Sequence, residues 1–210
     1  MPKPRVEPDA CFLNIPYDKQ FENLYLAYIV GLTALDFVPR ATLGVPRDAR
    51  RLERIFHLIQ TCRYSVHDIS RIQLDRRAPR SPRFNMPFEL GLAVAWASLN
   101  PGHHSWVGCD AVAHRPVKSI SDLNGTDFHI HGGTVAGVFN ALCNAFVTRS
   151  RRPTVPQMMR VYRRLRRISA DLQADAGAAD LFQARVFDDL VLAAGRLWDQ
   201  EETKVLTPRT

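Results

Sequence analysis

Short apolar runs alternate with stretches whose apolar residues recur at helical spacing, and this alternation restricts the fold more sharply than anything in the composition. ACFLNI (Ala10 to Ile15) reads as a buried strand, and Phe21, Leu24, Tyr25, Tyr28, Leu32 and Leu35 then mark one face of a helix. DFVPR (Asp36 to Arg40) predicts a short second strand limited by Pro39. Asp48 is the expected cap of a helix burying Leu52, Ile55, Phe56 and Ile59. Tyr64 to Ile69 predicts a third strand, followed by an arginine-rich loop from Ser70 to Arg83. Asn85, as N-cap, and Pro87 signal the start of a helix carrying Leu90, Val94 and Ala97. Trp106 to Val112 and Phe128 to Ile130 are weaker strand candidates, and Val135, Val138, Phe139, Leu142 and Phe146 mark a further helix.

Such a pattern predicts an α/β domain over residues 1–150: a flavodoxin-like or Rossmann-like parallel sheet flanked by helices, with its ligand crevice at the strand C-terminal ends. Arg149, Arg151, Arg152 and Pro153 read as a boundary. Residues 151–210 then form a helical C-terminal extension, with Val161, Leu165 and Ile168 on one helix and Leu181, Val186, Leu190 and Leu197 on another. Two short helices cannot cover these faces alone, so they are expected to dock on the α/β domain or on another subunit.

Several function classes lose their basis early. NIPYDKQF, after the first strand, holds no glycine, so neither a phosphate-cradling Walker loop nor a GxGxxG dinucleotide fingerprint is present there. The 28 Lys and Arg against 21 Asp and Glu leave a formal charge of +7, which favours anionic ligands without choosing among them. Cys11, Cys62, Cys109 and Cys143 lack the close spacing of a zinc or redox motif and read as reduced thiols of a cytoplasmic protein. MPKPRVEPDA has no apolar signal core, and the apolar run Leu24 to Leu35 is too short to span a bilayer.

The predicted strand ends offer polar groups: Asn14, Tyr17 and Asp18 after the first, Asp68 and Ser70 after the third. Asp18 and Ser70 serve equally well as turn formers or caps. Asp68 ends an apolar central strand, where burying a carboxylate is costly unless something binds it. Glu89 lies one turn into the Asn85 helix, where the macrodipole favours the ionised form, and Gly91 beside it is expected to let the helix press on the sheet while Glu89 faces the crevice near Asp68. Arg71, Arg76, Arg77, Arg80 and Arg83 either clamp a phosphate or are solvated loop charge. Asp127, His129 and His131 alternate and so share a strand face, compatible with a metal, though SDLNGTD is equally a turn and no metal is assigned. His103 and His104 carry no interpretable signal. Arg160, Arg163, Arg164, Arg166 and Arg167 stripe one tail helix, but with only Tyr162 interleaved they fit a solvated or partner-binding face better than a nucleic-acid surface.

NMPFELGLA (Asn85 to Ala93) resembles the segment bearing the catalytic glutamate of nucleoside 2-deoxyribosyltransferases, and CRYSVHDIS (Cys62 to Ser70) resembles the strand that ends there in a base-binding or ribose-binding aspartate. The wider organisation, over roughly residues 10–148, is similar to Toll/interleukin-1 receptor (TIR) domains, whose enzymatic members cleave NAD with a glutamate in the equivalent helix. NIPYD, CRYSxHD, RFNMPFELG and SDLNGTD also occur together in a compact group of bacterial proteins of this superfamily. The resemblance implies Glu89 as catalytic carboxylate and Asp68 as substrate-positioning acid. It implies a pocket wall of Asn14, Ile15, Pro16 and Tyr17, with Asp18, Ser70, Asn85 and Met86 around it. It further implies an N-glycosidase acting on NAD or a related nucleotide or nucleoside as substrate, with no resident cofactor, and a homo-oligomer or a partner protein meeting the C-terminal helices. A role as a self-poisoning antiphage effector follows from the TIR likeness only. The rival readings are deoxyribosyl transfer between bases and a noncatalytic nucleotide-sensing or partner-binding module.

Chemically, breaking an N-glycosidic bond builds positive charge on ribose C1′, which a carboxylate can stabilise or attack. Nicotinamide leaves NAD already neutral, so one carboxylate suffices, whereas a purine or pyrimidine nucleoside needs an acid such as Asp68.

Overall fold

A computed structural model describes residues 4–43, 50–72 and 81–206. Five strands, β1 (Glu7–Asn14), β2 (Val38–Arg40), β3 (Cys62–Asp68), β4 (Ser105–Asp110) and β5 (His129–Ile130), form one all-parallel sheet in the order β2-β1-β3-β4-β5. This is the flavodoxin-like order, whose direction of winding reverses between β1 and β3 and so opens a crevice beyond their C-terminal ends. The short, Pro39-bearing β2 lies at the sheet edge, where a missing N–H is tolerated.

Alternation along the strands sorts two cores. Cys11, Leu13 and Ile15 join Val66 on one face, under α1 (Glu22–Ala34) and α5 (Val135–Ala145). Ala10 and Phe12 point the other way, onto Ile55, Leu58 and Ile59 of α2 (Arg51–Thr61) and Ala93 of α3 (Asn85–Leu99). The remaining helices are the short α4 (Arg115–Ser119) and the long pair α6 (Val155–Asp175) and α7 (Ala184–Leu206).

The tail pair docks on the α/β body of the same chain. Met158, Val161, Tyr162, Leu165, Leu181, Val186, Phe187, Leu190, Ala194 and Trp198 are buried in one cluster with α1 and α5. That explains why α1 is apolar on every side: its inner face meets the sheet and its outer face meets α6 and α7. Tyr25 is fully buried there, edge-on to Phe182 at 5.1 Å, with its hydroxyl donating to the Leu181 carbonyl at 3.2 Å. The presumed boundary is itself bound to the body, since Arg149 donates to the Leu35 and Asp36 carbonyls and lies over the Phe37 ring.

Four sequence readings need correction. Phe84, not Asn85, is the N-cap residue of α3, without a side-chain cap, and Asn85 is the first helical residue. Gly91 is exposed with nothing near it, and Leu90 and Ala93 face inward instead. Leu52 and Phe56 are exposed, because α2 is rolled so that Ile55, Leu58 and Ile59 meet the sheet. Ile168 is exposed on α6, while Met158 and Tyr162 fill the interface. Asp48 lies outside the described residues.

Candidate active site

Glu89 and Asp68 do not meet. In β1 and β3, Asn14 registers with His67, and both side chains point to the α2/α3 face, where the His67 ring packs edge-on to Phe12. Asp68, one residue on, must point to the opposite face. There it is fully buried and already engaged by protein: Tyr28 Oη donates to Oδ2 at 2.7 Å and the Ser70 N–H donates to Oδ1 at 2.8 Å. His131 Nε2 lies 3.0 Å from Oδ2, out of line for a hydrogen bond. His131 Nδ1 accepts from the Gly133 N–H at 3.1 Å, which leaves Nε2 as the ring nitrogen beside Asp68. Burial and the adjacent Asp68 charge push the Tyr28 hydroxyl pKa well up, so it stays a donor.

Glu89 projects from α3 to the other side of the sheet and is 3% exposed. Its Oε1 sits 3.5 Å from Arg51 Nη2, a long contact, and its Oε2 is buried without a hydrogen-bond partner among the described residues. Burial raises its pKa above the ordinary glutamate value, while the Arg51 guanidinium and the Asn14 amide pull it back. A buried carboxyl oxygen left unpaired is costly, and a ligand with positive charge or a donor would remove that cost.

Behind Asn14 runs a chain of buried hydrogen bonds whose direction follows from its far end. The Cys62 carbonyl can only accept, so His104 donates from Nδ1 at 2.8 Å. The neutral ring then accepts at Nε2 from Ser65 Oγ, 2.8 Å away. Ser65 Oγ in turn accepts from His67 Nε2 at 2.9 Å, which leaves His67 Nδ1 to accept from the Asn14 amide nitrogen at 3.0 Å. Both rings must be neutral for this order to hold. Their pKa values agree: burial, then His104, lowers His67 to about 3, and burial lowers His104. The chain fixes the Asn14 amide with its nitrogen toward His67, its orientation beside Glu89 set by groups distant in sequence, His104 and the Cys62 carbonyl.

The other candidates are dispersed. Tyr17 lines a cavity of about 350 Å3 with Thr42, Leu43, Arg51, Arg54 and Ala184, and Arg51 is the wall shared with Glu89. Ile15, Pro16 and Met86 are buried in packing, and Asn85 is exposed. Asp18 caps the following turn by accepting from the Gln20 and Phe21 N–H groups, and pairs with Arg71 at 3.3 Å and Arg83 at 3.5 Å. Ser70 is buried, its carbonyl accepting from Arg115, which also grips the buried Asp110 through two nitrogens. Arg76, Arg77 and Arg80 lie outside the described residues. His129 and His131 do not share a strand face, because β5 ends at Ile130 and His131 turns into the Asp68 site. No cluster of His, Cys, Asp and Glu suited to a metal occurs among the described residues, and no helix among them is long and apolar enough to cross a membrane. Arg160 and Arg164 bind Glu201 and Gln200 of α7, which leaves Arg163, Arg166 and Arg167 exposed.

Comparison with protein-family models, curated proteins and solved structures gives no significant match. The site is therefore read from its own geometry and from the motifs quoted above.

Proposed function

We propose that this chain is an N-glycosidase that releases nicotinamide from NAD or a related nucleotide, with Glu89 facing ribose C1′. The observation that carries this reading is the buried Glu89 carboxyl at the β1/β3 switch point, one oxygen unpaired among the described residues, with the other candidate acid sealed on the opposite face. A carboxylate so placed opposes positive charge at C1′ from a water-poor wall, where electrostatic stabilisation is strongest. The C1′–N bond breaks with its electron pair going to the nicotinamide nitrogen, cancelling the pyridinium charge. Water then adds to C1′ and its proton passes to Glu89, whose raised proton affinity suits the transfer.

The position of Asp68 separates this reaction from its nearest rival. Purine or pyrimidine nucleosides need an acid at the departing base, and Asp68, sealed on the face opposite Glu89, does not supply it, which favours nicotinamide release. Incubating the purified protein with NAD, NADP and a nucleoside panel, followed by mass spectrometry, tests the assignment. Nicotinamide release by the native protein, reduced at least ~100-fold in folded Glu89→Gln, is the expected result. Unimpaired turnover in that variant excludes the mechanism, and nucleotide binding with no turnover by the native protein identifies a sensor instead.

A further inference from the structure

Three arginines crowd the first turn of α2: Arg50 precedes it, Arg51 opens it and Arg54 lies one turn in. That is the wrong end of a helix for cations, since the macrodipole places positive partial charge there. The local acids offset little of it. Glu53 folds back to accept from the Arg50 N–H at 3.1 Å, and among the described residues Arg51 has only the 3.5 Å contact with Glu89. Arg54 forms no ion pair among the described residues, its Nη1 donating to the Thr42 carbonyl at 3.2 Å while its Nε is buried without a partner.

Arg51 and Arg54 converge on the 350 Å3 cavity beside Glu89, whose other walls among the described residues are Tyr17, Thr42, Leu43 and Ala184, none of them an acid. An anion bound there would pair with the unused guanidinium nitrogens, relieve the repulsion between the two arginines and complement the helix end. We propose that this cavity is a phosphate subsite, built by Arg51 and Arg54 to hold the pyrophosphate of a dinucleotide or nucleoside diphosphate whose ribose reaches Glu89. The inference rests on the N-glycosidase reading for the ribose but not for the anion. It selects phosphorylated substrates over free nucleosides, a choice the sequence motifs leave open.

Calorimetric titration of the full chain with inorganic pyrophosphate, ADP and adenosine tests it. Native protein and Glu89→Gln should both bind pyrophosphate and ADP below about 1 mM, with adenosine at least ~10-fold weaker. Arg54→Met and Arg51→Met should each lose at least ~10-fold, the scale of one charge-assisted hydrogen bond, and Arg54→Lys should recover part of the loss. The Arg51 side chain is 56% exposed, so its variant will fold and decides the matter even if Arg54→Met does not. Absent pyrophosphate binding, unchanged affinity in Arg51→Met, or adenosine binding as tightly as ADP overturns the subsite. Pyrophosphate binding without NAD cleavage overturns the proposed activity and leaves the subsite standing. Cleavage of NAD with an unaltered KM in Arg51→Met does the reverse.

Discussion

Glu89 and the histidine chain beneath Asn14 titrate with opposite consequences. Burial holds the Glu89 carboxyl above the ordinary glutamate range, so a reaction needing its ionised form should lose rate as pH falls, with the acid limb of kcat/KM displaced upward from that range. A pH profile on NAD checks this, and a limb at or below the ordinary value removes Glu89 as the titrating group. His67 acts on stability instead. Its pKa falls from 6.5 to about 3 on folding, so its contribution is complete above pH 6.5 and is lost as pH drops toward 3. Each pH unit in that window costs up to about 1.4 kcal/mol, with His104 adding in the same direction. Urea unfolding at stepped pH should show this decline, and a flat profile between pH 6.5 and 4 refutes it. Glu89 and Asn14 could be singled out in sequence because each stands in a recognisable motif, Asn14 at the end of an apolar run and Glu89 one turn into a helix. Ser65 and His104 were not: His104 looked like loop punctuation, and only the pairing of β3 with β4 makes it the buried terminus of a chain that reaches Asn14.

Helix interiors offer a sharper contrast at the level of elements. A Cβ on Gly137, in the first turn of α5, would stand 1.9 Å from the His131 carbonyl oxygen, which belongs to the turn that presents His131 to Asp68. Gly137→Ala should therefore force a backbone shift and cost about 1–3 kcal/mol. Gly91 is a glycine within α3 with no atom within 4 Å of its added Cβ, and Gly91→Ala should gain up to about 1 kcal/mol from helix propensity alone. Thermal melts of the two variants should move in opposite directions. Existence and approximate bounds of the strands could be read from apolar runs, since buried parallel strands have few other signatures, but their order in the sheet could not. Facing could not be judged by proximity to a strand end. The adjacency of His67 and Asp68 means that one must serve each face, and only the pairing of Asn14 with His67 shows which shares a side with Glu89.

For the molecule as a whole, the tail uses its apolar face within the chain. Docking on the α/β body was one of the two expectations, and the burial of Val161, Leu165, Val186, Leu190 and Trp198 against α1 and α5 realises it. A chain ending at Ser150 would bare the outer face of α1, including the fully buried Tyr25, which packs on Phe182 and Phe187. Each large apolar side chain so exposed forfeits about 1.5–3 kcal/mol, and a few exhaust the roughly 5–15 kcal/mol of a typical domain. Truncation should abolish cooperative unfolding in calorimetry, and a truncated chain with a native-like melt would make the tail an accessory. The placement of α1 also has a temporal side. During synthesis the ribosome adds about 5–20 residues per second, so α1 waits on the order of ten to thirty seconds before the residues of α7 that cover it emerge. For that interval a helix apolar on every side has a sheet-facing side it can begin to satisfy and an outward side it cannot, which makes it a natural landing place for a holding chaperone.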